Sequence, residues 1–256
     1  MQPVHTFKKT MFQSLKNALG LGQDKNKAKE AEQAITRSPS SYLAGSRGKG
    51  GFGVAGQAGK ASEWASMQGL AYTERSGKGY QMDGQIHGKP WRLEQGKPSR
   101  DFIKGIELRA RGEMGVNEDI AVMIMTRSLK NELDKRAFSL YTDTLQTQID
   151  PHLPEEMRWL SMYEEVGWEE LGQSFLDQYA ILADTRVHAT QWIKPELASL
   201  LQAWPSREPD VPRVLMVLRG KVYLRMQINE GDIPSLEHAS RVFTSACNAA
   251  LAGFST

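Results

Sequence analysis

The residues best suited to bind a ligand are the basic side chains around one predicted strand, residues 106–111. This segment alternates apolar and charged residues, so Arg109 and Arg111 should point to the same face of the strand. Several guanidinium groups on a sheet face can hold the phosphate of a lipid, a nucleotide or a nucleic acid. Glu107 shares this face and can neutralise it. The candidate anion-binding residues are Arg92, Lys97, Arg100, Lys104, Arg109 and Arg111.

A second candidate is an amphipathic, basic helix predicted over residues 1–22. Its apolar residues recur at helical spacing, and its lysines lie off that stripe. Such a helix on a flexible tether is typical of an anchor to an anionic membrane surface. Docking on the body of the chain or on a partner protein is the alternative. The residues concerned are Phe7, Lys8, Lys9, Met11, Leu15, Lys16 and Leu19.

Glutamates form a third candidate, because residues 155–175 read as a helical region rich in acid. Glu165 and Glu169 are four residues apart and would share one helix face. Together with Glu156 they would form an acidic patch for a cation or a basic partner. A solvated helix face is the alternative interpretation.

No motif for catalysis, metal binding or cofactor binding is present in the sequence. None of the five histidines stands three or four residues from another, as a helical metal site would require. His188 precedes a predicted helix and can cap it or contact Asp184. The lone cysteine, Cys247, lies among alanines of a predicted helix and is expected to be buried. The histidines are His5, His87, His152, His188 and His238.

The glycine-rich run before the body fails as a phosphate-binding loop. Gly59-Lys60 is followed by Ala61, where such a loop requires Ser or Thr. We therefore expect neither cofactor nor metal, and the sequence favours a protein that is not an enzyme.

Charge divides the chain into a basic tail and an acidic middle. The range 1–62 holds ten basic and three acidic residues, whereas 116–180 holds five basic and thirteen acidic residues. Residues 45–60 are nearly half glycine, too poor in apolar side chains to order on their own. The predicted organisation is an amphipathic helix (1–22), a flexible basic linker (23–60) and a folded body (61–256).

Apolar periodicity in the body predicts an α+β fold. Residues 80–95 and 213–228 each show two strands around a Gly-Lys turn, which is a hairpin signal. Residues 120–125 are apolar on both faces and predict a central strand. Pro234 can start a final helix. We expect antiparallel strands with helices packed on one side.

The two predicted hairpins resemble each other. Residues 86–95 align with 218–227, with Gly-Lys, an aromatic residue and the final Gln coinciding. This indicates either a duplicated helix–hairpin unit, with halves 61–150 and 151–256, or two hairpins that share turn chemistry.

These features predict a non-catalytic adaptor or scaffold whose basic tail reaches an acidic partner or a membrane surface. One alternative is a nucleic-acid-binding protein that uses tail lysines and the Arg109/Arg111 face. Another is an enzyme whose site is assembled from distant residues. With no apolar run of membrane-spanning length and no apolar leader segment, we expect a cytoplasmic protein that can be peripheral to a membrane.

Overall fold

A computed structural model describes residues 55–75, 79–143, 155–205 and 211–255. These residues fall into two compact units. The larger contains 55–136 and 164–255, and the smaller contains 137–143 and 155–163. The predicted N-terminal helix and residues 23–54 of the predicted linker lie outside the described residues.

Within the described residues, nine antiparallel strands form one sheet in the order β1-β2-β3-β4-β9-β8-β5-β7-β6. The α+β class and the antiparallel sheet are therefore confirmed. The hairpin β8–β9 lies between β4 and β5, although β4 and β5 are consecutive in the sequence. The strands are β1 (Ala71–Arg75), β2 (Gly79–Ile86), β3 (Lys89–Gly96), β4 (Ile106–Gly112), β5 (Ala121–Thr126), β6 (Glu164–Glu165), β7 (Tyr179–Ala183), β8 (Arg213–Leu218) and β9 (Lys221–Ile228).

Seven α-helices occur in the described ranges, together with a 3-10 turn at Glu169–Leu171. None of these helices has the length and apolar character needed to cross a bilayer. The helices are α1 (Ala55–Met67), α2 (Arg127–Asp143), α3 (Glu155–Met162), α4 (Gln173–Gln178), α5 (Arg186–Trp192), α6 (Pro195–Gln202) and α7 (Ile233–Phe254).

Helix α7 covers the apolar face of the sheet, which we call the inner face. Asp232 caps its start by accepting a hydrogen bond from the Ser235 N–H at 3.1 Å, with Pro234 in the first turn. The ring of Phe243 lies 5.5 Å from that of Trp91 on β3. Burial of each large apolar side chain stabilises the fold by roughly 1.5–3 kcal/mol. The buried stripe of α7 is Leu236, Ala239, Val242, Phe243, Ala246, Cys247 and Ala250.

Side-chain alternation in the strands produces two different faces. In β9, Val222, Leu224 and Met226 are buried and belong to the core, while Tyr223 and Arg225 point to the opposite side. Strands β5 and β8 are buried at every position. The prediction of a central strand at 120–125 is confirmed, because β5 lies between β8 and β7.

The two hairpin turns share one geometry. His87 and Gly88 have φ of 50° and 75°, and Arg219 and Gly220 have φ of 51° and 72°. Positive φ at both central residues is the type I′ turn that joins twisted antiparallel strands, and glycine favours it.

The strands that follow these turns do not match in orientation. Trp91 faces the core, whereas the aligned Tyr223 lies on the opposite side of the sheet. The hairpins therefore share their turn but not the direction of their side chains.

Two predicted boundaries differ from the structure. Helix α1 begins at Ala55, inside the range predicted as linker, because Ala61, Trp64 and Ala65 pack into the core and hold the helix. The single helical region predicted over 155–175 is wrong. It consists of α3, the short strand β6, the 3-10 turn and α4. Gly172, with φ of 72°, separates the last two.

Candidate functional site

The surface that carries most of the candidate chemistry is the side of β2, β3, β4 and β9 opposite α7, which we call the outer face. Every second residue of these strands points there. Arg92 and Arg111 are 50% and 54% exposed, so this surface is open to solvent. The outer face comprises Gln81, Asp83, Arg92, Glu94, Glu107, Arg109, Arg111, Tyr223, Arg225 and Gln227.

Strand register places four of its arginines in a compact group, which we call the arginine block. Arg92 on β3 lies directly opposite Arg111 on β4, and Arg109 on β4 lies directly opposite Arg225 on β9. Side chains in such positions have Cβ atoms about 5 Å apart, and like charges there repel. Carboxylates that surround the block offset this repulsion.

Asp83 and Glu94 neutralise the β3 side of the block. Arg92 Nε donates to Asp83 Oδ1 at 2.7 Å, and Arg109 Nε donates to Glu94 Oε2 at 2.9 Å. Burial opposes ionisation of Asp83, but hydrogen bonds from Arg92 and Gln81 outweigh it, so the pKa of Asp83 lies below its ordinary value. Asp83 is therefore ionised at neutral pH.

Glu107 is the buried carboxylate on the β9 side of the block. Its carboxylate is fully shielded from solvent and accepts hydrogen bonds from Arg225 Nη1 at 2.5 Å and from the Ser99 N–H at 2.6 Å. Arg225 also donates to the Ser99 hydroxyl. Glu107 thereby ties the β3–β4 connection to β4 and β9. The prediction that Glu107 neutralises this face is confirmed.

Arg111 lies at the open end of the block. Its Nε and Nη2 donate to Glu113 at 2.6 and 2.5 Å, and Lys221 Nζ approaches the other Glu113 oxygen at 3.1 Å. Its guanidinium carbon also lies 6.0 Å from the ring centroid of Tyr223, within cation–π range.

A cavity of about 570 Å³ opens between these side chains. That volume falls in the range that takes a small ligand or a few residues of a peptide. Most of its lining residues are charged, and the lining includes Asp83, Arg92, Glu94, Arg109, Arg111, Glu113, Tyr223 and Arg225.

The predicted anion-binding set is brought together only in part. Arg92, Arg109 and Arg111 line the cavity, whereas Lys97, Arg100 and Lys104 lie on the β3–β4 connection outside its lining. Arg225 belongs to the block but was missed, because 114 residues separate it from Arg111 and only the β4–β9 pairing unites them. Its alternation with Leu224 and Met226 was the available signal.

The predicted acidic patch does not form on one helix face. Glu165 lies in β6 and pairs with Arg127 at 2.5 Å and Lys130 at 3.1 Å, whereas Glu169 is in the 3-10 turn. Burial disfavours the Glu165 charge, but these cations outweigh that cost and its pKa is lowered. Glu156 is buried in α3 of the smaller unit.

A second polar cluster lies within the core around His238 of α7. His238 Nε2 donates to the Leu200 carbonyl at 2.8 Å, and its ring packs edge-on against Trp204 at 4.6 Å. The Arg213 guanidinium stacks over Trp204 at 4.6 Å. Burial, with the nearby Arg241 and Arg213 cations, holds the pKa of His238 below its ordinary value.

Two further predictions concern single residues. His188 Nδ1 lies 2.7 Å from Asp184 Oδ2, so the predicted contact between them is confirmed. Cys247 is buried, as predicted, and burial raises the pKa of its thiol. Across the described ranges, no group of three or more His, Cys, Asp or Glu side chains is placed to hold a metal ion.

Comparison with known proteins adds little to this geometry. No family model matches the sequence, and no curated protein matches it either. Among solved structures, the crystal structure of the mycobacterial trehalose monomycolate transport factor A, TtfA, is similar with a TM-score of 0.41 at 11% identity. The match covers 76% of this chain and 96% of that chain.

Proposed function

We propose that this chain is a non-catalytic adaptor that binds a partner protein through its outer face. The observation that carries this proposal is the arginine block, a set of four cations interleaved with carboxylates on one sheet face, of which Arg92 and Arg111 are half exposed. Interleaved charges of both signs select a partner by complementarity and fix its register, which is how protein interfaces gain specificity.

The cavity supports binding more than catalysis. Its lining is a network of ion pairs in which each carboxylate already accepts from an arginine, as Asp83 does from Arg92 and Glu94 from Arg109. A general base needs a carboxylate or imidazole able to take a proton near neutral pH. The lowered pKa of Asp83 makes it a poor base.

The test is retention of partner proteins from an extract of the source organism on the immobilised full chain. The charge-reversed variant Arg92→Glu/Arg111→Glu should lose a defined set of proteins that the unmodified chain retains. The matched control Lys135→Glu/Arg136→Glu reverses two charges on α2 and should keep that set. Equal retention by all three chains would refute the outer face as the docking surface.

The basic tail supplies the second half of this proposal. A cytoplasmic chain with Lys8, Lys9 and Lys16 beside an apolar stripe would associate reversibly with anionic membrane or with an acidic protein. Co-sedimentation of the full chain with phosphatidylserine vesicles should fall with added salt and with Lys8→Gln/Lys9→Gln/Lys16→Gln. Unchanged sedimentation of that variant would leave the tail without this role.

Nucleic-acid binding is a second candidate, favoured by the presence of four arginines close together on one sheet face. Phosphate contacts release counterions, so binding of this kind would weaken steeply with salt. A mobility-shift titration at low and moderate salt tests it, and the absence of any shift at low salt would remove it.

A further inference from the structure

The two cross-strand arginine pairs of the block place like charges directly opposite each other, which a surface without a ligand does not require. Directly opposed like charges cost stability in a sheet, and opposite charges in those positions would gain it. Here Arg92 opposes Arg111 and Arg109 opposes Arg225, while Glu94 and Asp83 stand beside the pairs rather than between them. An anion placed between Arg92 and Arg111 would relieve this repulsion.

The outer pair has the capacity to accept such an anion. An arginine carries five N–H donors. Arg92 engages Asp83 through Nε, and Arg111 engages Glu113 through Nε and Nη2. Both side chains are about half exposed, at 50% and 54%, so part of each guanidinium faces solvent. The inner pair differs, because Arg225 is only 16% exposed and is held by the buried Glu107.

The surroundings of the pair discriminate between possible anions. Asp83, Glu94 and Glu113 line the same cavity and would repel the continuous charge of a nucleic-acid backbone. A short acidic peptide meets a smaller penalty, because its carboxylates stand on flexible side chains that can reach the arginines and turn away from the flanking acids. The four acids around the block also show that it accommodates carboxylate geometry, since each already pairs with one of its arginines.

We infer that the arginine block binds an acidic segment of a partner protein. Arg92 and Arg111 would donate hydrogen bonds to its carboxylates, and Tyr223 would pack beside them. This inference rests on the proposed function and specifies the chemistry of the partner. Recognition depends on the planar fork of the guanidinium, whose parallel N–H donors bind a carboxylate through two hydrogen bonds. A positive charge without these paired donors does not replace the guanidinium.

The probe is a fluorescein-labelled heptaglutamate peptide, titrated with the full chain at low salt and followed by fluorescence polarisation. The unmodified chain should bind it, and Arg92→Gln/Arg111→Gln should weaken binding by about tenfold, as expected for loss of two charge-assisted contacts at an exposed site. The control Lys135→Gln/Arg136→Gln removes the same charge from α2 and should change affinity by less than about twofold. Because every variant keeps the basic tail, attraction of the peptide to the tail contributes equally to all of them.

A charge-preserving variant separates recognition from attraction. Arg92→Lys/Arg111→Lys keeps both positive charges but lacks the fork, so its affinity should fall between those of the unmodified chain and the glutamine variant. Each variant is first compared with the unmodified chain in thermal unfolding, so that a folding defect is recognised. Affinity equal to that of the unmodified chain would overturn the role of the guanidinium fork.

Other outcomes are equally informative. If the glutamine variant and the α2 control bind heptaglutamate alike, the block is not its site and the inference fails. If single-stranded oligothymidylate binds more tightly than heptaglutamate and is lost on Arg92→Gln/Arg111→Gln, the ligand is nucleic acid and the inference is overturned. Loss of extract proteins on Arg92→Glu/Arg111→Glu without heptaglutamate binding would refute the acidic segment and leave the proposed function standing.

Discussion

The two faces of strands β2, β3, β4 and β9 are built from alternate residues of the same four segments, yet they have opposite chemistry. On the inner face, Leu93, Leu108 and Leu224 are buried under α7. On the outer face, their immediate neighbours Arg92, Arg109 and Arg225 form ion pairs that remain partly hydrated. The inner face supplies stability through buried apolar area, whereas the outer face is free to specialise because little of the fold depends on it.

The contribution of the inner face to stability should be largest at Phe243, the fully buried aromatic residue of α7. We expect Phe243→Ala to lower the free energy of unfolding by about 3–5 kcal/mol, because it removes a buried ring and leaves a cavity against Trp91. Urea denaturation followed by tryptophan fluorescence measures this. Val187→Ala, at a 60% exposed position, should change stability by less than about 0.5 kcal/mol. A small effect at Phe243 would contradict the assignment of the inner face as the core.

Glu107 is the one place where the outer face should matter to folding. Glu107→Gln is expected to cost about 2–3 kcal/mol, because it leaves the Arg225 charge, which is only 16% exposed, without its buried carboxylate. The exposed Glu113→Gln should cost less than about 1 kcal/mol. Urea midpoints of the two variants measured side by side give the contrast. Equal midpoints would mean that Glu107 is not buried as described.

His238 makes the inner face sensitive to acid. Because its pKa is lowered in the folded state, the unfolded chain binds the proton more readily. This contribution to stability is fully present above the unfolded pKa of 6.5 and is lost as the pH falls through and below that value. His238→Gln keeps a donor for the Leu200 carbonyl and should flatten the fall in unfolding free energy between about pH 6.5 and pH 5. An unchanged pH profile would exclude His238 as the cause.

The smallest effect on stability is expected at the exposed end of the arginine block. Arg92→Gln loses an ion pair with Asp83 but also relieves the repulsion with Arg111. The free energy of unfolding should therefore change by less than about 0.5 kcal/mol in either direction. Thermal unfolding of this variant beside Arg136→Gln provides the measurement. A loss as large as that of Glu107→Gln would erase the distinction between the two faces.

Local patterns were sufficient to predict the parts of the fold that depend on local periodicity. Apolar residues at every position of 120–125 indicated a strand buried on both faces, and β5 is such a strand. Alternation in 106–111 put Arg109 and Arg111 on one face, as the register of β4 confirms. The helical spacing of Glu165 and Glu169 misled, because pairing of β6 with β7 overrides helix propensity there.

The candidate site could be predicted only in part, because half of it depends on strand order. Nothing within residues 106–111 or 221–228 shows that β4 and β9 pair, so Arg225 could not be placed beside Arg109. Asp83 was likewise missed, although the hairpin β2–β3 that sets it opposite Arg92 was predicted. Its signal was a carboxylate at the position across the Gly-Lys turn from an arginine.

The insertion of β8–β9 between β4 and β5 also has a consequence for how the chain is made. During synthesis, β4 and β5 emerge about a hundred residues before the hairpin β8–β9 that joins them. Ile106 of β4 therefore cannot pair with its partner Ile228 of β9 until that hairpin has been made. Until then both strands present unpaired edges, which are sites of aggregation for a nascent chain. The sheet can therefore be completed only after its last hairpin has been made, and ribosome-bound chains that end before Lys221 should aggregate more readily than the released protein.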